Sequence, residues 1–221
     1  MKLLHYELLQ RIITALILSI FGIFIFFFLP PWCFSLVLVV VALYTVLLEM
    51  PRLIPFKPIL FWLTLLCYPI ASFFMLIILN HYQHYRMLIF ISILAVCAND
   101  TGAYCSGKLW GKHKIWPAIS PKKTWEGFFG GYFLTVFTLI SFEILINKKI
   151  DLYFLIIISF LFALIGTAGD FFESWLKRKA KVKDSGTLLP GHGGLLDRFD
   201  SLLFVIFFVF FCKEWLAKKL L

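Results

Sequence analysis

Charged side chains are scarce in this sequence. They make up 15% of its 221 residues, whereas 62% are hydrophobic and 27 residues are phenylalanine. A soluble domain needs far more polar surface to cover its core, so the composition excludes that class and predicts an integral membrane protein. The formal net charge of +9 then indicates basic faces turned toward anionic lipid or phosphate substrates, and not toward nucleic acid.

Several other features are also absent. The five cysteines show no CxxC spacing and no pairing pattern, so they predict packing residues and not a metal or disulfide framework. No small-residue cleavage site follows the first apolar stretch, which predicts a retained helix and not a signal peptide. Repeats and low-complexity linkers are absent too. We therefore expect a single integral membrane domain, 1–221, with N-terminal spans in 1–97, a motif-bearing catalytic region in 98–200, and a last span with the C-terminus in 201–221.

Long apolar runs set the expected architecture. A helix needs about 20 apolar residues to cross the hydrocarbon core, and on this measure the sequence predicts an all-α, polytopic bundle of about seven transmembrane helices. Pro69 falls inside the third run, which predicts a kinked or partly re-entrant helix. The predicted spans are roughly 12–29, 32–48, 58–79, 87–105, 126–146, 152–172 and 201–217.

Lysine and arginine are distributed unevenly between the two sides of this bundle. They concentrate in the N-terminus and in the loops near 49–57, 106–125 and 173–200, so the positive-inside rule places these segments in the cytoplasm. We expect a bacterial-type inner (cytoplasmic) membrane protein with one polar site on its cytoplasmic face. Four polar segments would meet there: ANDTGAY (98–104), SPKKTWEG (120–127), GDFFESWLKRK (169–179) and the loop through Asp200.

Carboxylates near the ends of apolar runs are the first candidates for chemistry. An ionisable group at membrane depth costs roughly 2.5–3.5 kcal/mol on insertion scales, so its presence predicts a function. Asp100 and Asp170 each lie near a glycine at a span end, and together they predict a cation site. Glu49 and Glu143 are single acidic residues at or within spans, and each is expected to pair with a lysine or a backbone donor.

The helix that carries Asp170 is predicted to continue beyond the membrane. Asp170, Ser174, Lys177 and Lys181 follow helical spacing and would share one face. That face has a carboxylate near the bilayer and cations further out. For Lys179 and Lys181 the pattern favours contact with lipid headgroups over catalysis.

The loop that follows is rich in glycine and charge. Glycines at 186, 191, 193 and 194 allow the backbone to approach a ligand closely, and His192 lies among them. Asp197 opens the last span and can meet Asp170 across adjacent helix ends. Two carboxylates with lysines and arginines nearby are typical of a site that holds Mg²⁺ and several phosphates, while dispersed histidines argue against zinc.

The segment SPKKTWEG precedes the fifth predicted span. Ser120 and Thr124 can cap that helix, whose N-terminal amides attract anions. Lys122 and Lys123 add point charges suited to phosphate. On the same face as the acidic residues, the segment predicts phosphate handling more than a plain basic loop.

The run from Ser174 to Asp200 resembles the signature of phosphatidate cytidylyltransferases, also called CDP-diacylglycerol synthases. NDTGAY and SPKKTWEG also resemble segments of that family, so the resemblance spans about 99–200. The matching positions of the run are Ser174, Lys177, Arg178, Lys183, Asp184, Gly186, Pro190, His192, Gly193, Gly194, Asp197, Arg198 and Asp200.

The resemblance implies a reaction, ligands and residue roles. Members transfer the cytidylyl group of CTP to phosphatidate, giving CDP-diacylglycerol and pyrophosphate in phospholipid biosynthesis, with Mg²⁺ as cofactor and often as homodimers. On this chain, Asp170 and Asp197 would be the metal ligands. The expected catalytic residues are Asp100, Asp184, His192 and Asp200. The expected phosphate-binding residues are Lys122, Lys123, Ser174, Lys177, Arg178, Lys183 and Arg198.

Two other functions remain open at this level. A CTP-dependent polyprenol or phytol kinase would transfer the γ-phosphoryl group to a lipid alcohol and release CDP. An ion-coupled secondary transporter would also place carboxylates in the membrane. Against transport, the charges gather at one interface and the sequence has no apparent inverted repeat.

Overall fold

The helices follow the apolar runs of the sequence. The computed structural model describes residues 2–54, 59–146, 150–188 and 193–221. A β-hairpin lies between the fourth and fifth helices. The elements are α1 (Lys2–Phe28), α2 (Pro31–Leu53), α3 (Ile59–His81), α4 (Gln83–Trp110), β1 (Lys114–Trp116), β2 (Ser120–Thr124), α5 (Trp125–Leu145), α6 (Leu152–Lys179), α7 (Leu196–Phe211) and α8 (Lys213–Leu220).

Five described helices, α2 to α6, are long and apolar enough to cross a membrane. The first helix contributes a shorter apolar stretch, Leu16–Phe28. The last predicted span, 201–217, falls on α7 and α8, which are separated at Cys212. The predicted helical membrane protein is confirmed, and the count of seven spans stays a prediction.

Two π-helical turns lie within α2 and α3. Pro69 belongs to the turn Leu66–Ile70, and α3 continues beyond it to His81. Proline cannot donate the backbone hydrogen bond of an α-helix, and the wider π turn absorbs this loss. The irregularity predicted at Pro69 is therefore a π turn within a continuous helix. The other turn, Thr45–Glu49, ends at a buried glutamate.

The contacts divide the chain into two compact units. The first comprises Met1–Tyr82 and Leu176–Phe199, and the second comprises Gln83–Trp175 and Asp200–Leu221. In the first unit α2 packs against α3, and Asn80 Nδ2 donates to the Pro31 carbonyl at 2.7 Å and to Ser35 Oγ at 2.9 Å. The predicted organisation as one membrane domain stays a prediction.

Glycines allow α4 and α5 to pack closely in the second unit. A Cβ atom at Gly102 would lie 2.6 Å from the carbonyl oxygen of Gly130, and one at Gly131 would lie 2.6 Å from the carbonyl oxygen of Asn99. Small residues at a helix contact let two backbones approach within a membrane. This seam brings the ANDTGAY segment of α4 close to the first turns of α5.

The hairpin is the main departure from the predicted all-α fold. The sequence predicts a loop over 106–125, but β1 pairs with β2 in antiparallel register, with Lys114 opposite Thr124. Glu126 holds the hairpin, because its carboxylate accepts from His113 N at 3.2 Å and lies 2.6 Å from His113 Nδ1. Strands of three and five residues are too short to show a clear alternating pattern.

The sixth helix ends earlier than predicted. It stops at Lys179, and Lys181 adopts a left-handed backbone conformation with a φ of 57°. Val182 N donates to the Lys177 carbonyl at 3.0 Å, which is the 6→1 hydrogen bond of a Schellman cap. The prediction that Lys181 continues the helical face is wrong, because the helix has ended before it.

Candidate functional site

A cavity of about 250 Å³ lies in the second unit, between α4, the hairpin, α5 and α6. We call it the hairpin cavity. It joins three of the polar segments that the sequence predicts to meet: ANDTGAY, SPKKTWEG and the end of α6. Four predicted site residues line it, namely Asp100, Lys122, Lys123 and Asp170.

Asp170 is held within the hairpin cavity by two neighbours. Its Oδ2 lies 2.6 Å from Lys123 Nζ, and its Oδ1 accepts a hydrogen bond from Ser174 Oγ at 3.3 Å. Lys123 Nζ also lies 4.7 Å from the ring centroid of Phe171, a cation–π distance. The side chains of Lys123 and Asp170 are 24% and 30% exposed, so the pair is accessible to ligands.

Thr124 caps α5, as the sequence predicts. Its Oγ1 accepts a hydrogen bond from Gly127 N at 3.1 Å, whereas Ser120 lies in β2. A helix N-terminus carries a partial positive charge that attracts anions. Lys122 and Lys123 directly precede this helix, so this side of the hairpin cavity suits phosphate.

The hairpin cavity also contains hard oxygen donors. Asp100 and Asp170 supply carboxylates, and Asn99 Oδ1 is buried without a hydrogen-bond partner. Carboxylate and amide oxygens are ligands that Mg²⁺ accepts, so these residues fit the predicted cation. Within the described ranges, no group of three or more His, Cys, Asp or Glu side chains forms a metal cluster, and the metal assignment stays a prediction.

Asp197 lies in the first unit, in an almost closed environment. Its Oδ1 lies 2.7 Å from Lys177 Nζ, and these side chains are only 6% and 14% exposed. Its Oδ2 accepts from Ser185 N at 2.9 Å, Ser185 Oγ at 3.0 Å and Gly194 N at 2.8 Å. A carboxylate offers about four lone-pair positions, so a metal bond to Asp197 requires one of these four contacts, such as that with Lys177, to be released.

Glu49 belongs to the same unit, and its partners are not evident from the sequence. Its carboxylate accepts from Leu195 N and Leu196 N, both at 2.7 Å, and from Ser185 Oγ at 3.3 Å. Of the two kinds of partner that the sequence leaves open for Glu49, a lysine or a backbone donor, the structure shows backbone donors. Its only signal in the sequence is an acidic residue at the end of a long apolar run.

The remaining predicted residues do not line the hairpin cavity, and one of them lies outside the described residues. Asp200 lies where α6 and α7 meet, since a Cβ atom at Gly169 would lie 2.7 Å from its carbonyl oxygen. Asp184 lies beside Gly193, whose φ is 82°. His192 lies outside the described residues. The exposed cations among the predictions are Lys122, Arg178, Lys183 and Arg198.

The predicted site residues therefore form two groups. Asp100, Lys122, Lys123 and Asp170 surround the hairpin cavity, and Ser174 joins them through its bond to Asp170. The other group, in the first unit, centres on Asp197 and Lys177. The approach of Asp170 to Asp197 stays a prediction. The sequence does not single out Asn99 and Ser185 as site residues. Their side chains are neutral, and only their burial and their hydrogen-bond partners in the structure indicate a role.

Known proteins resemble most of this chain. A sequence profile of the Cytidylyltransferase family matches residues 9–215. Three relatives bear the name phosphatidate cytidylyltransferase. That of Staphylococcus saprophyticus subsp. saprophyticus is 49% identical over 123 residues, which cover 56% of this chain and 46% of the relative. The Staphylococcus epidermidis protein is 46% identical over 118 residues (53% and 45%), and the Staphylococcus aureus protein 46% over 126 residues (57% and 46%).

The chain spans about half the length of the curated relatives that it matches. The family profile covers far more, and it includes every predicted site residue. The resemblance predicted from the run between Ser174 and Asp200 is confirmed, and the chain belongs to the cytidylyltransferase family.

Proposed function

We propose that this protein is a phosphatidate cytidylyltransferase, which transfers the cytidylyl group of CTP to phosphatidate and releases pyrophosphate. The names of the staphylococcal relatives support this activity. The observation that carries it is the hairpin cavity, where two carboxylates, two lysines and a helix N-terminus line one space. Such a combination suits a nucleoside triphosphate with its cation better than a transported ion.

The hairpin cavity is proposed to bind the triphosphate of CTP. Lys122 and Lys123 would contact phosphate oxygens, and the positive end of α5 would add to their attraction. Lys123 already faces an anion, the carboxylate of Asp170, and its partial exposure allows it to turn toward a phosphate. The other proposed phosphate-binding residues are Ser174, Lys177, Arg178, Lys183 and Arg198.

Mg²⁺ is the proposed cofactor. Asp100, Asp170 and the amide oxygen of Asn99 are the hairpin-cavity residues that would hold it. Asp197 is a further proposed ligand if Lys177 releases it. When bound, the cation would screen the repulsion between the anionic substrates and the charge on departing pyrophosphate.

The transfer requires positioning more than proton transfer. An oxygen of the phosphatidate phosphate forms a bond to the α-phosphorus of CTP. The bond from that phosphorus to the bridging oxygen breaks, and pyrophosphate leaves with the bonding electrons. A phosphate monoester is largely ionised near neutral pH, so the reaction needs no strong base. The basic residues would orient both anions in line, and Asp184, His192 and Asp200 remain proposed catalytic residues.

The site is proposed to lie on the cytoplasmic face of a bacterial-type inner membrane. CTP would then arrive from water, and phosphatidate would arrive within the bilayer. The proposed partners are these two substrates, the bilayer and a second copy of the chain in a homodimer. Nucleic acid is not an expected partner, because the basic residues accompany an apolar membrane chain.

An assay with doubly labelled CTP tests the proposal. Purified protein receives phosphatidate, Mg²⁺ and CTP labelled separately in the cytidine and in the γ-phosphate. We expect cytidine label in the lipid and γ label in pyrophosphate. A lipid kinase supplied with polyprenol would instead transfer the γ label to lipid and release CDP. A transporter would accumulate solute in sealed vesicles without CTP turnover. Either of these two results would refute the proposed transfer.

A further inference from the structure

Glu49 is a buried carboxylate to which the proposed reaction gives no role. It ends the π turn Thr45–Glu49 of α2 and is 0% exposed. Burying a carboxylate is unfavourable unless donors surround it. Turns of this kind are also frequent at functional sites. Its partners therefore indicate what the residue does.

Glu49 binds the start of α7. Oε1 accepts a hydrogen bond from Leu195 N and Oε2 accepts one from Leu196 N, both at 2.7 Å. The first amides of a helix have no partner within the helix, and they carry partial positive charge. The carboxylate satisfies these donors and neutralises that charge. It thereby joins α2 to a loop that lies 146 residues later in the sequence.

The loop before α7 is shaped around the same carboxylate. A Cβ atom at Gly186 would lie 2.6 Å from Glu49 Oε1, and one at Gly194 would lie 2.5 Å from it. A side chain at either position would overlap the carboxylate. Both glycines belong to the run that resembles the family signature. The close approach of the Glu49 carboxylate explains why each of these positions is a glycine.

Ser185 connects Glu49 to Asp197. Its Oγ lies 3.3 Å from Glu49 Oε2 and 3.0 Å from Asp197 Oδ2. Ser185 N also donates to Asp197 Oδ2 at 2.9 Å, so the backbone holds Asp197 even when the hydroxyl proton points to Glu49. A displacement of Glu49 would therefore move Ser185, together with its neighbours Lys183 and Asp184.

We propose that Glu49 is a positioning residue for the cytidylyltransferase site. It fixes the backbone of residues 183–186 and 193–197, and so holds the basic and acidic side chains of this loop in their reactive arrangement. The kinetic consequence rests on the proposed function, whereas the contacts themselves lie within the first unit. Glu49 acts through the loop and touches no substrate.

The variant Glu49→Gln tests this role. Glutamine keeps the length of the side chain, but its NH₂ group would face a backbone N–H, so one of the two amides loses its acceptor. Small misplacements of binding groups have large kinetic effects, so we expect kcat to fall about 10- to 100-fold. The KM for CTP should change less than kcat does, since the triphosphate is proposed to bind mainly in the hairpin cavity, whose lining does not include Glu49.

Glu143→Gln is the matched control. Glu143 is 1% exposed in the second unit, lies far from the loop in sequence, and undergoes the same chemical change. Its variant should keep kcat within about threefold of the wild type. A loss of kcat confined to Glu49→Gln therefore separates the loop contact from the general effect of neutralising a buried carboxylate.

Hydrogen exchange gives a readout that does not depend on activity. In Glu49→Gln at least one of the amides of Leu195 and Leu196 should exchange at least about tenfold faster than in the wild type, because one of them loses its acceptor. In Glu143→Gln they should not change. If Glu49→Gln does not fold, Ser185→Ala takes its place, with an expected fall in kcat of about 3- to 10-fold.

The outcomes separate this proposal from the proposed function. If the wild type makes no lipid-linked cytidine, the proposed function fails, and hydrogen exchange alone decides whether Glu49 holds the loop. Unchanged exchange at Leu195 and Leu196 would overturn the proposal. In an active enzyme, so would a normal kcat in Glu49→Gln or an equal loss of kcat in Glu143→Gln.

Discussion

The ion pair between Lys177 and Asp197 allows a quantitative stability prediction. Its charged atoms lie 2.7 Å apart and both side chains are mostly buried. Removing one member of a buried pair leaves an uncompensated charge and costs about 3–5 kcal/mol. In Lys177→Met, however, Asp197 keeps three hydrogen bonds from Ser185 and Gly194. We therefore expect a loss near the lower end, about 3 kcal/mol.

Asp197→Asn should destabilise the protein more than Lys177→Met does. Its NH₂ group would face either the Lys177 ammonium or the donors of Ser185 and Gly194, and each unsatisfied buried donor adds about 1–3 kcal/mol. The double variant removes both charges. We expect its loss to be smaller than the sum of the two single losses by about 2–3 kcal/mol.

Denaturant unfolding of the detergent-solubilised protein at pH 7, without added Mg²⁺, measures these free energies. The exposed Lys179 lies on the same helix, so Lys179→Ala is the control and should change stability by less than about 0.5 kcal/mol. Strictly additive losses for Lys177→Met and Asp197→Asn would refute the reasoning, because they would mean that the two charges do not stabilise each other.

The remaining predictions concern the hairpin cavity, the seam between α4 and α5, and the exposed ion pair between Asp151 and Lys219. Asp170→Asn should lower kcat at least about 100-fold in a folded protein, because it removes a carboxylate proposed to hold the cation; near-normal kcat at limiting Mg²⁺ would contradict that role. Gly130→Ala places a Cβ atom 1.9 Å from a serine hydroxyl of α4 and should cost about 1–3 kcal/mol, measured as a lower Tm. Gly22→Ala, which meets nothing within 4 Å, is its control. The pKa of Asp151 is lowered, chiefly because Lys219 donates a hydrogen bond to it at 2.8 Å. The carboxylate therefore contributes stability above its ordinary pKa of 3.8, and this contribution is lost as the pH falls through the lowered value. Asp151→Asn should lower the Tm at pH 7 but have a smaller effect near pH 3, and equal deficits at both pH values would argue against the titration.

The helices could be predicted from the sequence because a bilayer leaves few alternatives. Apolar runs of about 20 residues can satisfy their backbone groups within a membrane only as helices. Thr124 could be predicted as a cap, since a hydroxyl just before an apolar run accepts from the amides of the first turn. The end of α6 could not, because Lys181 occupies the left-handed position where sequence rules expect glycine.

The sequence predicts which charged residues belong to the candidate site, but not which of them contact each other. The sequence predicts that Asp170 and Lys123 are charged groups at the ends of apolar runs, yet their ion pair depends on a hairpin that leaves no clear pattern in the sequence. Ser185 is a neutral residue in a charged loop, and only its contacts reveal that it joins two carboxylates, since its N–H donates to Asp197 and its hydroxyl lies near both Asp197 and Glu49. Long-range partners of this kind are not encoded in local periodicity.

Two of the proposed metal ligands, Asp170 and Asp197, face a lysine, yet the two ion pairs differ in exposure. The pair of Lys123 and Asp170 is partly exposed, whereas that of Lys177 and Asp197 is mostly buried. Exposed ion pairs contribute about 0–1 kcal/mol, so a triphosphate or a cation can separate the first pair at little cost. Separating the buried pair costs several times more. This difference favours Asp170 as the carboxylate that changes partners during the reaction. It also favours Asp197 as a fixed part of the loop that Glu49 supports.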